Sequence, residues 1–132
     1  MKYINNKLKI ENINFQKLSN KFGTPLYCYS YKKLKQNINN FKLNFKTISP
    51  LICFATKANS NLRILKEIKK NGLGADVVSK GELMKSLKAG ISSKKIVFSG
   101  VGKTSSELSY AIDKNILLIN SESKSEVLEI ER

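Results

Sequence analysis

The sequence predicts an α/β fold, which three observations indicate. Four short apolar runs begin at residues 51, 74, 96 and 116, a spacing of 20 to 23 residues that fits one strand plus one crossover helix. Each run is followed by a helix-start signal and an amphipathic stretch. The runs are continuous rather than alternating, which is typical of strands buried on both faces of a parallel sheet. Four such units can begin a doubly wound sheet or form half of a (β/α)₈ barrel, and the regular period favours the partial barrel.

The first unit shows the pattern most completely. Residues 51–55 form the apolar run, and a polar segment separates them from a helical stretch with Leu62, Leu65 and Ile68 on one side. Asn71-Gly72 then predicts the helix end, because both residues tolerate the left-handed conformation common after a C-cap.

The helices of the other three units begin with a shared signal. In each unit a Ser or Thr precedes a Glu by three residues, which predicts a capping box, an exchange of hydrogen bonds between side chains and backbone N–H groups. The predicted boxes are Ser79 with Glu82, Thr104 with Glu107, and Ser123 with Glu126.

The N-terminal part of the chain follows a different plan. We predict a short strand at residues 7–10 after an Asn-Asn turn, a helix over 15–22, and a second strand at 26–29. Ser30 is a suitable N-cap for a further helix, whose apolar residues between 34 and 41 share one face.

The net charge of +14 comes from 24 Lys and Arg residues against 10 Asp and Glu, a balance that raises the question of a nucleic-acid or acidic-lipid partner. Only Arg63 and Arg132 are Arg and 22 are Lys, whereas recognition of phosphates and bases favours the bidentate guanidinium. The chain also has 14 Asn and 14 Ile, so a drift in composition explains the excess. We therefore expect a solvated lysine-rich surface and no nucleic-acid partner.

The cysteine and histidine content bears on metal binding and on the redox state of the compartment. Cys28 and Cys53 lie in apolar runs without a CxxC pair, and the chain has no His, so we expect two small buried hydrophobes and no zinc site. Unpaired cysteines suit a reducing compartment. We expect neither a signal peptide nor a membrane span, which makes the cytoplasm the expected location.

Three residues near the strand ends are candidates for chemistry, because active sites of β/α barrels lie there. Lys57 follows the first apolar run, where desolvation would favour a nucleophilic amine; the alternative is one more lysine reaching solvent. Asp76 lies within the second run and, if buried, needs a partner, either a cationic or cofactor group or a loop amide. Glu82 is either a functional carboxylate or only the partner of Ser79 in its capping box.

A glycine-rich segment follows the third apolar run. Residues 99–104 end like a Walker sequence but lack its spacing, since one residue separates Gly100 from Gly102. The segment predicts a tight strand-to-helix turn.

Five segments together carry a resemblance to a known family. They are GTPLY at 23–27, FATKAN at 54–59, GADVVSKGEL at 74–83, IVFSGVGKT at 96–104 and INSES at 119–123. In order and spacing they resemble the N-terminal third of the diaminopimelate decarboxylases, and the resemblance covers essentially all 132 residues. That family belongs to the fold type III pyridoxal-phosphate enzymes, with ornithine and arginine decarboxylases and, more distantly, alanine racemase.

The resemblance implies an organisation, a cofactor and a reaction. Residues 1–30 would contribute strands to a β domain whose remainder lies elsewhere, and residues 31–132 would form the first half of a barrel that binds pyridoxal 5'-phosphate. Lys57 would hold that cofactor covalently until the substrate amine displaces it, while Asp76 and Glu82 would orient or polarise the Schiff base. The implied reaction converts meso-2,6-diaminopimelate, a small amino acid, to L-lysine and carbon dioxide in lysine biosynthesis, in a cytoplasmic homodimer.

Departures from the family pattern leave alternatives open. The cofactor-stacking His of the family is absent, because this chain has no His. The glycine-rich phosphate cradle, the substrate-binding Arg and Tyr, and the Cys and acid donated across the dimer belong to later segments of the family. The alternatives are another fold type III enzyme, of ornithine or arginine decarboxylase or alanine racemase type, and a non-enzymatic basic remnant.

We expect the 132-residue chain by itself to be neither stably folded nor active, because half a barrel leaves two strand edges and its inner side chains open to water. Purified residues 1–132 should show no cooperative thermal transition by circular dichroism and no release of carbon dioxide from diaminopimelate. A cooperative melt together with turnover would contradict this expectation.

Overall fold

A computed structural model describes residues 1–131 of the chain. The chain divides into two compact units, Met1–Ser49 and Pro50–Arg132, which are described separately below. The domain boundary expected after residue 30 stays a prediction.

The first unit combines a three-stranded antiparallel sheet with two helices. Its elements are β1 (Lys2–Ile4), β2 (Lys7–Ile10), β3 (Ile13–Asn14), α1 (Phe15–Phe22) and α2 (Tyr31–Asn44). The strands lie in the order β1-β2-β3, and the turn between the first two has φ angles of 49° at Asn5 and 56° at Asn6. Asparagine adopts this left-handed backbone more readily than most residues. The strand and turn predicted here are confirmed.

Both helices of this unit begin at a side-chain cap. The Asn14 side chain accepts a hydrogen bond from the Gln16 N–H, and Ser30 Oγ accepts one from the Lys33 N–H at 3.0 Å. Ser30 Oγ also donates to Glu11 Oε1 at 2.8 Å, so the hydroxyl is used in both directions. The N-cap predicted at Ser30 is confirmed.

The strand predicted at residues 26–29 is wrong. The sheet of the first unit consists of β1, β2 and β3, and none of them pairs with this segment. Tyr27 and Tyr29 are 85% and 63% exposed. An extended segment becomes a strand only where a neighbour satisfies its backbone groups, and apolar composition alone does not supply that neighbour.

The second unit consists of four β/α repeats. In chain order they are β4 (Cys53–Ala55) and α3 (Leu62–Lys70), β5 (Gly74–Val77) and α4 (Lys80–Lys88), β6 (Ile96–Phe98) and α5 (Ser105–Asp113), and β7 (Leu118–Ile119) and α6 (Lys124–Glu131). The strands are parallel and lie in the order β4-β5-β6-β7. A doubly wound sheet reverses its strand order, whereas a barrel adds each strand beside the previous one. The order therefore confirms the α/β class and favours the partial barrel.

The helices of this unit cover one face of the sheet. The strand residues on that face are fully buried, and they are Ala75, Val77, Ile96 and Phe98. Helix residues complete the core, namely Leu65, Ile68, Leu83, Leu108 and Ala111. Side chains alternate between the two faces of a strand, so these alternate positions define the helix-covered side.

The opposite face of the sheet is partly open. One row in register across the four strands contains Ala55, Asp76, Val97 and Leu118. None of these four residues is buried, and Leu118 is 50% exposed. In a (β/α)₈ barrel the helices are outside, so this open face corresponds to the barrel interior.

Two glycines of the second unit differ in the space around them. A Cβ on Gly74 would lie 2.1 Å from the Lys95 carbonyl oxygen and 2.9 Å from Cys53 Sγ. A Cβ on Gly81, in the first turn of α4, would meet nothing closer than Ser79 Oγ at 3.9 Å. Of these two glycines, Gly74 is required by its surroundings and Gly81 is not.

We predict that Gly74→Ala lowers the free energy of unfolding by about 1–3 kcal/mol, because the added methyl group overpacks the strand contact. Gly81→Ala should raise it by up to about 1 kcal/mol, because alanine is the better helix former. Urea denaturation of the complete protein that contains these residues measures both changes. Equal stability of the two variants would contradict the close contact at Gly74.

Candidate functional site

Lys57 lies immediately beyond β4. The strand ends at Ala55, and a single 3₁₀ turn, Thr56–Ala58, contains the lysine. Lys57 is exposed, so the desolvation expected at this position is wrong. Among residues 1–131, β4 has β5 as its only neighbouring strand, so the other side of this strand end is open.

Asp76 lies on β5, in register with Ala55 of β4, on the open face of the sheet. Its Oδ1 is buried and has no hydrogen-bond partner among residues 1–131. A buried acceptor without a partner costs about 1–3 kcal/mol, and native proteins rarely retain one without a reason. Asp76 can therefore accept a hydrogen bond from a further donor.

Cys53 shares the open face with Asp76. Burial raises the pKa of the Cys53 thiol, and the Asp76 carboxylate raises it further because a second negative charge nearby is unfavourable. Both cysteines are free, but they are half-buried rather than buried as expected. Cys53 lies on an edge strand and Cys28 lies in the segment 26–29 that joins no sheet, so neither is enclosed on all sides.

Glu82 lies in the first turn of α4. Ser79 Oγ accepts a hydrogen bond from the Glu82 N–H at 3.3 Å, as the predicted capping box requires. The Glu82 carboxylate reaches one residue further back, where Oε2 accepts the Val78 N–H at 3.0 Å. Half of the predicted box is therefore present, and the carboxylate holds the turn between β5 and α4.

The other two predicted boxes differ from each other. Thr104 and Glu107 form the complete box, with each side chain bonded to the other residue's backbone. Ser123 Oγ accepts the Glu126 N–H at 3.2 Å, but Glu126 Oε2 accepts the Glu122 N–H at 2.7 Å. The fourth repeat thus repeats the arrangement found at Glu82.

Lys103 is a buried cation that the sequence patterns did not single out. It lies in the turn between β6 and α5, which confirms the strand-to-helix turn predicted there. Its side chain is only 1% exposed, and Nζ donates to the Asn120 carbonyl oxygen at 2.7 Å and to Glu126 Oε1 at 2.8 Å. The bond from Lys103 holds the pKa of Glu126 below its ordinary value, with help from the Glu122 N–H. One signal was available, namely a lysine between Gly102 and the N-cap Thr104.

The three predicted site residues lie at one edge of the second unit. Lys57 follows β4, Asp76 lies near the carboxyl end of β5, and Glu82 follows in α4. Within residues 1–131, no hydrogen bond or ion pair joins the three side chains to one another. The fold places a lysine and two carboxylates after neighbouring strands and leaves the lysine free.

No cluster of three or more His, Cys, Asp or Glu side chains is arranged to hold a metal ion in residues 1–131. No helix in that range combines the length and the apolar character needed to cross a bilayer.

Curated relatives are similar to this chain over most of its length. A diaminopimelate decarboxylase of Helicobacter pylori is 49% identical over 118 residues, which are 89% of this chain and 29% of the relative. A diaminopimelate decarboxylase of Aquifex aeolicus is 42% identical over 127 residues, which are 96% of this chain and 30% of the relative. The chain spans about 30% of the length of these curated relatives.

Solved structures and a family model agree with these similarities. A crystal structure of an Aquifex aeolicus protein matches with a TM-score of 0.93 at 42% identity, over 98% of this chain and 32% of that one. The crystal structure of Helicobacter pylori diaminopimelate decarboxylase complexed with L-lysine matches with a TM-score of 0.84 at 47% identity, over 89% of this chain and 30% of that one. Residues 31–132 match the model described as pyridoxal-dependent decarboxylase, pyridoxal binding domain. The chain belongs to the pyridoxal-dependent decarboxylase family.

Proposed function

We propose that the complete protein containing this chain is a pyridoxal-phosphate-dependent diaminopimelate decarboxylase. The reaction breaks the bond between one α-carbon of meso-2,6-diaminopimelate and its carboxylate, releases carbon dioxide, adds a proton to that carbon and yields L-lysine. Relatives at 49% and 42% identity have this name, and one relative was crystallised with L-lysine. The structural observation behind the proposal is that, within residues 1–131, Lys57 at the end of β4 is free and Asp76 Oδ1 on the neighbouring strand has no partner.

The residues at this edge fit a pyridoxal phosphate group. Lys57 offers an exposed primary amine, the group that bonds covalently to an aldehyde. Asp76 Oδ1 offers a buried acceptor that is suited to a polar hydrogen or a positive charge. When bound, the cofactor would accept the electrons released at the substrate α-carbon.

Each proposed site residue has a separate task. Lys57 Nζ would hold the cofactor through its primary amine. Asp76 stabilises positive charge through its free Oδ1. Glu82 accepts the Val78 N–H and so holds the backbone two residues after Asp76.

We also propose the organisation that the resemblance implies. Residues 1–30 belong to a β domain, residues 31–132 form the first half of the barrel, and two copies associate as a homodimer. The antiparallel pairing of β1, β2 and β3 supports the β domain. The free state of Cys28 and Cys53 supports a reducing compartment such as the cytoplasm.

Lys57 should be the residue that pyridoxal phosphate modifies. Incubation of the complete protein with the cofactor, reduction with borohydride and peptide mapping should place the pyridoxyl label on the peptide containing Lys57. Lys57→Arg keeps the positive charge but has no primary amine, so it should lose this label. Its decarboxylation rate should fall by roughly a thousandfold or more.

The matched control is Lys88→Arg, which changes an exposed lysine at the far end of α4. This variant should be labelled at Lys57 and turn over substrate like the unmodified protein. Label spread evenly over many lysines would overturn the assignment of Lys57.

The charge of Asp76 should be measurable at Cys53. Burial is the larger cause of the raised thiol pKa and the Asp76 carboxylate the smaller, so Asp76→Asn removes only the second cause. The pKa of Cys53 should then fall toward its ordinary value without reaching it. Because the thiolate is the reacting form, Cys53 should be alkylated faster at a fixed pH below that pKa.

The measurement is the pH dependence of iodoacetamide labelling of the Cys53-containing peptide, followed by mass spectrometry of the complete protein. Asp113→Asn, an exposed change at the end of α5, serves as the control and should not alter the profile. Identical profiles for Asp76→Asn and the control would show that Asp76 does not act on Cys53.

A further inference from the structure

The carboxylate of Glu107 joins two successive repeats of the second unit. Its Oε2 accepts the Thr104 N–H at 3.1 Å and the Thr104 hydroxyl at 3.0 Å, which completes the capping box of its own helix, α5. Its Oε1 accepts the Lys80 N–H at 3.0 Å, and Lys80 is the first residue of α4. One side chain therefore caps two helices at once.

The bond to Lys80 satisfies a group that α4 does not satisfy itself. The first N–H groups of a helix have no intrahelical partner. In α4, Ser79 Oγ accepts a hydrogen bond from the Glu82 N–H. The Glu82 carboxylate accepts one from the Val78 N–H and is therefore not bonded to Lys80. Glu107 supplies the acceptor for Lys80 from the next repeat.

The charge of Glu107 suits this position. The bond from the Lys80 N–H and the bond from the Thr104 N–H together hold the pKa of the Glu107 carboxyl below its ordinary value. An ionised carboxylate is favourable at a helix N-terminus, and here it lies against two of them.

Two more contacts join the same segments. The Lys80 ammonium lies 5.1 Å from the centre of the Tyr110 ring, which belongs to α5. A Cβ on Gly100, in the turn after β6, would lie 2.4 Å from the Val78 carbonyl oxygen, so only glycine allows the two turns to approach this closely. The following repeat thus contacts the turn between β5 and α4 through Glu107 and Tyr110, and it packs closely against the turn at Gly100.

We infer that Glu107 is a positioning residue for the proposed cofactor site. By fixing the N-terminus of α4, it fixes the segment that begins at Asp76 and ends at Glu82. The inference rests on the proposed function, because the positions of these two carboxylates relative to Lys57 matter only if the three residues form the cofactor site. Glu107 itself touches neither the cofactor nor the substrate in this role.

The test compares Glu107→Gln with Asp113→Asn in the complete protein. A glutamine has one acceptor oxygen, so it can serve Thr104 or Lys80 but not both. The readout is the rate at which pyridoxal phosphate is trapped on Lys57 by borohydride, with folding checked by circular dichroism. Glu107→Gln should slow trapping by roughly tenfold, the scale expected of a small misplacement of reacting groups, while Asp113→Asn leaves the rate unchanged.

A second variant separates position from stability. Lys80→Pro removes the N–H donor and leaves Glu107 intact, and proline is well tolerated at the first position of a helix. The preceding Ser79 has φ −158° and ψ 159°, an extended backbone that proline accepts before it. Lys80→Pro should therefore slow trapping as Glu107→Gln does, without loss of helix, and it decides the question if Glu107→Gln fails to fold.

Thr104→Ala supplies the opposite control, because it weakens the cap of α5 and leaves the hydrogen bond from the Lys80 N–H to Glu107 in place. Its trapping rate should stay within twofold of the unmodified protein, given a typical loss of about 1 kcal/mol of stability. Unchanged trapping in folded Glu107→Gln or in Lys80→Pro would overturn the inference. Absence of trapping at Lys57 in the unmodified protein would instead overturn the proposed function.

Discussion

Each helix of the second unit begins just after a strand has ended, so unpaired helix N–H groups and the candidate functional side chains share one edge of the sheet. A glutamate at the third helical position satisfies backbone groups there in α4, α5 and α6. Glu82 accepts from the Val78 N–H, Glu107 accepts from the N–H groups of Thr104 and Lys80, and Glu126 accepts from the Glu122 N–H. Helix capping therefore determines where the turns lie, and the turns and strand ends bear the groups available for chemistry.

Strand alternation explains how one short apolar run contains both core and site. Ala75 and Val77 are fully buried on the helix-covered face, while Asp76 between them lies on the open face. A carboxylate on the helix-covered side would have lost its hydration among apolar side chains, at a cost of several kcal/mol. The same alternation places Cys53 on the side of Asp76, and this explains why the carboxylate raises the pKa of that thiol.

Local features of the fold were predictable from sequence, whereas contacts between repeats were not. The strands of the four repeats and the N-caps at Ser30 and Thr104 depend on patterns within a few residues, and the structure has them. The bond from Lys80 to Glu107 spans 27 residues and the pair of Lys103 and Glu126 spans 23, so both depend on how neighbouring repeats stack. The exposure of Lys57 depends on β4 being an edge strand, which no pattern around the lysine records.

Two lysines in strand-to-helix turns, Lys57 after β4 and Lys103 after β6, show why burial alone does not select a reactive amine. The Lys103 ammonium is enclosed, and its donors are committed to Asn120 and Glu126. Breaking the ion pair between Lys103 and Glu126 would leave a buried charge without a partner. Lys103 is therefore suited to joining the turn after β6 to the segment before α6. Lys57 has no hydrogen bond or ion pair within residues 1–131 and lies at the end of a strand, the position where barrel active sites form. Lys57 therefore combines a place at a strand end with freedom from competing partners within residues 1–131, which is the combination that the proposed covalent attachment needs.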